Sequence, residues 1–250
     1  MASTSEVGNA KNVFNFGDLI SILTGYSAPK PYDPSKAAIK LPALIIKKTD
    51  ADDVMLKVDQ KSAPFITESD KRKLIFSVVP TLATKVYQAV VASDAPREFL
   101  PNVRQITRKL QGRRAKAKKA VDPNTPPAEV PVNISVSQKS FDNQIALMGT
   151  LIELLDAQTG YNPNEPELKV TGLKALHLQM KNTNTAVVDA HTAVTNARIA
   201  RDKVLYDSET GMLRLVADVK AYVKSLFGVK SIQFKQISAL KFKRPRRLFI

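Results

Sequence analysis

Between Leu173 and Val204 the chain sets apolar or small residues at alternating steps of three and four. They are Leu173, Leu176, Met180, Thr183, Val187, Ala190, Val194, Ala197, Arg201 and Val204. This is the a/d stripe of a heptad pattern, and it predicts one long coiled-coil-like helix across 164–206. At ~1.5 Å per residue, about 40 residues would run roughly 60 Å. Several stripe positions are small or polar, so a neighbouring helix could approach closely. The run DSETG (207–211) predicts a turn. A second helix, Met212 to Phe227, follows with Leu213, Val216, Val219, Val223 and Phe227 inward, and Gly228 as its stop.

The first half repeats the plan with more interruptions. Helices are predicted over 35–62, with Pro42 near the start, and over 67–93. Pro64 predicts a break or kink and Pro80 a second one. Ahead of each long segment lies a short amphipathic helix, FGDLISIL before Tyr26 and TLIELLDAQ before Tyr161, each ended by a glycine in the usual left-handed stop.

The two halves match in order. Thr-Gly-Tyr closes at Tyr26 and again at Tyr161. Tyr32-Asp-Pro34-Ser35 parallels Tyr161-Asn-Pro163-Asn164, with Ser35 and Asn164 suited to cap helices. Arg72 falls opposite Arg201, LATKVYQAVV (82–91) opposite LVADVKAYVK (215–224), and Gln105-Ile106-Thr107 opposite Gln236-Ile237-Ser238. The offset drifts only between about 129 and 135 residues, which points to an internal duplication. The predicted fold is all-α: an elongated antiparallel four-helix bundle from two tandem helical-hairpin repeats. Residues 1–119 form the first repeat with a basic arm, and 141–250 the second with a basic C-terminal arm. Between them lies a Pro-rich linker, 120–140, with an extended segment expected at 130–137.

Composition narrows the setting. The chain has 250 residues, 44% of them apolar, with 38 Lys+Arg against 23 Asp+Glu and a formal charge of +15. Such an excess favours nucleic acid, anionic membrane surfaces or acidic proteins as partners. Cysteine is absent, which removes disulfides and thiol chemistry and fits a reducing compartment. The N-terminus lacks the pattern of a secretory signal. The longest apolar runs, LPALII (41–46) and LIFSVV (74–79), are too short to span a bilayer. The expectation is a cytoplasmic protein with no transmembrane segment.

The positive charge is concentrated. Arg104, Arg108, Lys109, Arg113, Arg114, Lys116, Lys118 and Lys119 form one run free of acids. Lys241, Lys243, Arg244, Arg246 and Arg247 form another. Each run ends one repeat and reads as an arm leaving the helical body. Lys and Arg there would neutralise phosphates and release counterions. Phe234, Phe242 and Phe249 interleave with the second arm, where they could stack on bases or pack on a neighbour. Docking on an acidic protein, or plain solvation, stays open beside that reading.

Catalytic chemistry finds no motif. His177 and His191 are two heptads apart, roughly 21 Å along a helix, so they cannot share one metal. Asp50, Asp52 and Asp53 read as a solvated helix face, a cation site being the alternative. Arg198, Arg201 and Asp202 read as a structural ion-pair cluster, an anion site being the alternative. There is no Gly-rich phosphate loop, nucleophile elbow, metalloprotease, EF-hand, zinc-finger or RNA-recognition signature. The expectation is no enzyme, no cofactor, no metal and no small-molecule substrate.

The stretch SQKSFDNQ…GYNPNEPELKV…ARIARDKVLY…YVKSLFGVKSIQFKQIS resembles a family of bacterial helical proteins of about this length with no assigned activity. The likeness covers mainly the second half and implies a bacterial origin, but no functional residue. The function expected is that of a structural or assembly protein in a homo-oligomer or larger complex, its basic arms engaging nucleic acid or an acidic neighbour. Two rivals remain: a pure protein–protein scaffold of a lattice, filament or phage-like assembly, and binding to an anionic membrane surface.

Overall fold

A computed structural model describes residues 4–27, 30–112 and 139–245. The all-α expectation holds for them. In chain order the helices are α1 (Thr4–Thr24), α2 (Leu41–Ser77), α3 (Val79–Val91), α4 (Leu100–Leu110), α5 (Phe141–Asp156), α6 (Val170–Tyr206), α7 (Met212–Phe227) and α8 (Ile232–Ala239). Short 3-10 turns, Ala37–Ile39 and Arg97–Phe99, precede α2 and α4. The long helices α2 and α6 are each 37 residues. The linker 120–140, apart from Lys139 and Ser140, lies outside the described residues, and so does its expected extended segment.

The chain divides into two compact units. One combines Met1–Phe65 with Ala190–Ile250; the other is Ile66–Asp189. Each draws its core from both halves of the sequence. In the first unit, Phe16, Leu19 and Leu23 of α1 and Leu44 of α2 pack with Leu205, Met212, Val216, Val219 and Val223. In the second, Met148, Leu151 and Leu155 of α5 and Leu173 and Met180 of α6 pack with Val79, Ala83, Val86 and Val90 of α3. There α4 lies against both α3 and α5, while in the first unit α8 touches α7 and α1.

Buried positions recur in register. Leu44, Ala51 and Val58 of α2 match Leu173, Met180 and Val187 of α6, and all six are buried. Val79, Ala83, Val86 and Val90 match Met212, Val216, Val219 and Val223 in the same way. Tyr32 and Tyr161 make the same contact: each buried phenol donates to the carbonyl seven residues ahead, of Ile39 at 2.6 Å and Leu168 at 2.7 Å. Burial raises both phenol pKa values, that of Tyr161 to about 12 with Glu165 adding to the effect.

Several local expectations need correction. Pro64 does not break its helix: α2 runs through it. Pro64 and the preceding-turn residue Gln60 are both exposed, so the carbonyl that loses its intrahelical donor can be hydrated. The interruption falls at Val78, and Pro80 sits in the first turn of α3, where a missing N–H has no intrahelical partner to lose. The long helices begin at Leu41 and Val170, later than Ser35 and Asn164, because a turn precedes each. Gly25 and Gly160 are not left-handed; Gly112 and Gly228 are the described glycines with positive φ. Gly160 serves a close approach, since a Cβ there would lie 2.7 Å from the Asp94 carbonyl.

Other expectations match. Every residue of the Leu173–Val204 stripe is buried or half-buried. DSETG is a turn, with the Asp207 carboxylate accepting from the Glu209 and Thr210 amides at 2.9 and 2.8 Å. Those bonds, Thr210 first, hold its pKa below the usual carboxylate value. Gly228 ends α7 at φ 84°.

The helical run Leu41–Val91 contains a window of mean hydropathy 1.5 that is 28% buried, so by length and composition alone it could cross a membrane. The sequence reading missed this because Ser77, Pro80, Thr81 and Thr84 interrupt the run of apolar letters without lowering the mean enough.

Candidate nucleic-acid interface

The basic residues sit on two different supports. Arg104, Arg108 and Lys109 lie on α4, whose inner face is Val103, Ile106, Thr107 and Leu110. Arg104 is exposed; Arg108 and Lys109 are half-buried in the last turn, where the helix dipole favours cations. This part of the first cluster is therefore a helix face and not a free arm. Arg113, Arg114, Lys116, Lys118 and Lys119 lie outside the described residues, as do Arg246, Arg247 and Phe249.

The second cluster starts on a docked strand of chain. Beyond α8, residues 241–245 are non-helical, and α1 holds their backbone with asparagines. Asn12 donates from Nδ2 to the Lys243 carbonyl at 2.7 Å and accepts the Lys243 amide on Oδ1 at 2.9 Å. Asn15 donates to the Lys241 carbonyl at 2.7 Å. Asn12 also donates to the Tyr206 hydroxyl at 3.0 Å, and that hydroxyl donates to Asn9 Oδ1. Asn9, Asn12 and Asn15 are all buried. A buried amide without partners costs about 1–3 kcal/mol, so the tail's backbone offsets a penalty that α1 would otherwise carry.

Docking leaves the cations outward. Lys241, Lys243 and Arg244 are exposed, while Phe242 between them is half-buried. Phe242 packs on the unit's core with Lys220 Nζ 5.3 Å from its ring centroid. Lys220 donates to the Leu240 carbonyl at 2.9 Å. Burial, with Lys241 nearby, lowers its pKa from the ordinary lysine value. Phe234 also packs inward. The aromatic ring exposed on the supporting helix is Phe14, 61% exposed, with Lys11 Nζ 5.0 Å from its centroid.

The other residues singled out in the sequence have the following surroundings. Arg201 donates from Nε and Nη2 to Asp202 at 2.8 and 2.7 Å, with both side chains almost fully buried. Asp52 pairs with Lys48 at 2.6 Å on an exposed face shared with Asp50 and Asp53. His191 is exposed and packs on Phe65. His177 is half-buried, and burial and Lys181 lower its pKa. Among the described residues, no three His, Cys, Asp or Glu side chains converge as metal ligands.

Sequence reasoning missed the asparagine ladder. Its i, i+3, i+6 spacing on α1 was visible, but its partner lies more than 200 positions away. Comparison with protein-family models, curated proteins and solved structures gives no match to this chain.

Proposed function

We propose that this chain is a non-enzymatic assembly protein whose basic segments bind nucleic acid. The observation that carries the reading is the docked tail: Asn12 and Asn15 fix the backbone at Lys241 and Lys243 while the cations face outward. A cation on a fixed backbone loses less conformational freedom on meeting a phosphate than one on a free tail. The Arg104, Arg108 and Lys109 face of α4 adds a second phosphate-contacting surface in the other unit. Lys11 and Phe14 offer a cation and a stacking ring on the helix that holds the tail.

The fold behind this is an internally duplicated helical hairpin, packed as bundles of antiparallel helices. The register of buried positions and the twin tyrosine contacts support the duplication. The reading takes the protein as cytoplasmic and part of a larger complex. It also takes Leu41–Val91 as a core helix run, because Phe76, Val79, Ala83, Val86 and Val90 pack inward and Lys85 interrupts it.

A second reading, a protein–protein scaffold, is favoured by one observation. Ile45, Ile46 and Leu56 of α2 are each more than half exposed, which suits a helix face covered by another protein.

The test is purification without nuclease, recording the 260/280 nm absorbance ratio and the particle mass, then repeating both after nuclease and high salt. Nucleic acid that salt removes supports the first reading. In binding assays, Lys241→Ala/Lys243→Ala/Arg244→Ala should lower the salt slope by about 0.7 per lost phosphate contact on a single strand. A clean particle of high mass that nuclease does not change rejects it and supports the scaffold.

A further inference from the structure

In the Ile66–Asp189 unit, a groove of about 1190 Å³ opens between α3 and the loop that leads into α6. Its walls carry Gln88, Ser93, Asp94, Asn162, Asn164 and Glu165. Three of these are carboxamides and two are acids. In this same protein, carboxamides on α1 hold a non-helical stretch of backbone: Asn12 and Asn15 grip Lys241 and Lys243. The groove presents the same kinds of side chain beside the end of α3.

The corresponding place in the other unit is filled. By the register of the buried positions, Ser93 and Asp94 past the end of α3 match Leu226 and Phe227 at the end of α7. There the chain lays its own loop. Lys30 donates from Nζ to the Leu226 carbonyl at 3.1 Å. Tyr26 packs edge-on against Phe227 and donates its hydroxyl to the Gln233 carbonyl at 3.1 Å. The loop before α6 is shorter: α5 ends at Asp156 and Tyr161 follows closely, whereas α1 ends at Thr24 and the matching tyrosine is Tyr32. The shorter loop meets the end of α3 by backbone alone, Gly160 against the Asp94 carbonyl, and where the other unit has an aromatic ring the exposed Asp94 side chain stands free of it.

We propose that this groove binds a short peptide segment of a partner protein that carries a lysine or arginine. The cation would sit at the C-terminal end of α3, where Lys30 sits on α7. The carbonyl end of the helix dipole and the exposed Asp94 carboxylate both favour positive charge there. Gln88 and Asn162 would hold the peptide backbone as Asn12 holds Lys243. Lys85 also lines the groove, with Glu167 3.6 Å away as its counter-charge. The proposal rests on the duplicated fold but not on nucleic-acid binding, so either can fail alone.

The probe is a fluorescent peptide of the chain's own loop sequence, Tyr-Ser-Ala-Pro-Lys-Pro, titrated with the full chain and read by anisotropy. A peptide with glutamate in place of lysine is the control. Wild type should bind the lysine peptide at least tenfold more tightly than the glutamate peptide. Asp94→Lys should lose at least tenfold, and Gln88→Arg, further along the α3 wall, should lose binding by obstruction. Both positions are exposed, and unchanged thermal unfolding would show that each variant folds. Amide shifts on adding peptide should cluster at Ser93, Asp94 and Asn162. Equal binding to wild type and Asp94→Lys, or no binding at millimolar peptide, overturns the proposal.

Discussion

Lys36 Nζ lies 2.6 Å from Asp218 Oδ2, and the pair has a counterpart of opposite polarity in the other unit. There Lys85 of α3 faces Glu167 of the loop before α6 at 3.6 Å. In one unit the loop supplies the cation and the helix the anion; in the other the roles reverse. In the Tyr32/Tyr161 register Lys36 falls at Glu165 and Glu167 at Ala38, so the two pairs use neighbouring, not identical, loop positions. Exposed pairs contribute only about 0.2–1 kcal/mol each. Each pair therefore adds little to stability, and the coupling between Lys36 and Asp218 is the quantity to measure.

Asp218→Lys tests that arrangement. It removes the pair and brings a like charge toward both Lys36 and Arg214, the latter 3.5 Å from the carboxylate. A loss of about 1 kcal/mol is expected in urea unfolding. Adding Lys36→Asp should recover part of it. A double-mutant cycle with no coupling between the positions would sink the idea.

Tyr161→Phe should destabilise the protein by about 1–3 kcal/mol, because the Leu168 carbonyl loses its buried donor. Tyr32→Phe should behave alike at Ile39. The pH dependence has a definite sign. Folding favours the neutral phenol, so its contribution is complete below the unfolded pKa near ~10. It is lost as pH rises toward the folded value of about 12. The wild type should thus lose stability between those pH values, and Tyr161→Phe should lose less over the same range.

Asn12→Ala should free the tail without unfolding the unit. It removes both bonds to Lys243 and one to Tyr206. Hydrogen exchange at the Lys243 amide should quicken, and trypsin should cut at Lys241 and Lys243 sooner. If the amide exchanges as slowly as in the wild type, the ladder does not hold the tail.

Periodic burial explains what was legible from the sequence. The Leu173–Val204 stripe needed only helix geometry, and each of its residues turned inward. Arg72 and Arg201 show the limit of pattern. They match in sequence, yet Arg201 is buried on Asp202, while Arg72 lies 4.0 Å over the Phe141 ring and donates to Asn184. Partner choice there depends on residues far along the chain. Thr-Gly-Tyr was misleading in a similar way. Tyr26 shares its spelling with Tyr161, but Tyr32 makes the matching bond. The groove beside α3 was hidden because loop length, not residue type, opens it.

The two helix prolines should respond oppositely to substitution by alanine. Pro64 lies within α2, where an interior proline costs about 3 kcal/mol relative to alanine because a hydrogen bond is missing and the ring crowds the preceding turn. Part of that cost is already relieved, since the site is exposed, and proline also restricts the unfolded chain by about 0.4–1 kcal/mol. Pro64→Ala should therefore stabilise by about 1–2 kcal/mol, raising Tm by a few degrees. Pro80 occupies the first turn of α3, where no intrahelical bond is lost. Pro80→Ala should surrender only the unfolded-state restriction and destabilise by about 0.4–1 kcal/mol. Urea and thermal unfolding of the two variants, measured side by side, decide the matter. Equal effects of the same sign would mean that position within the helix does not set the cost of these prolines.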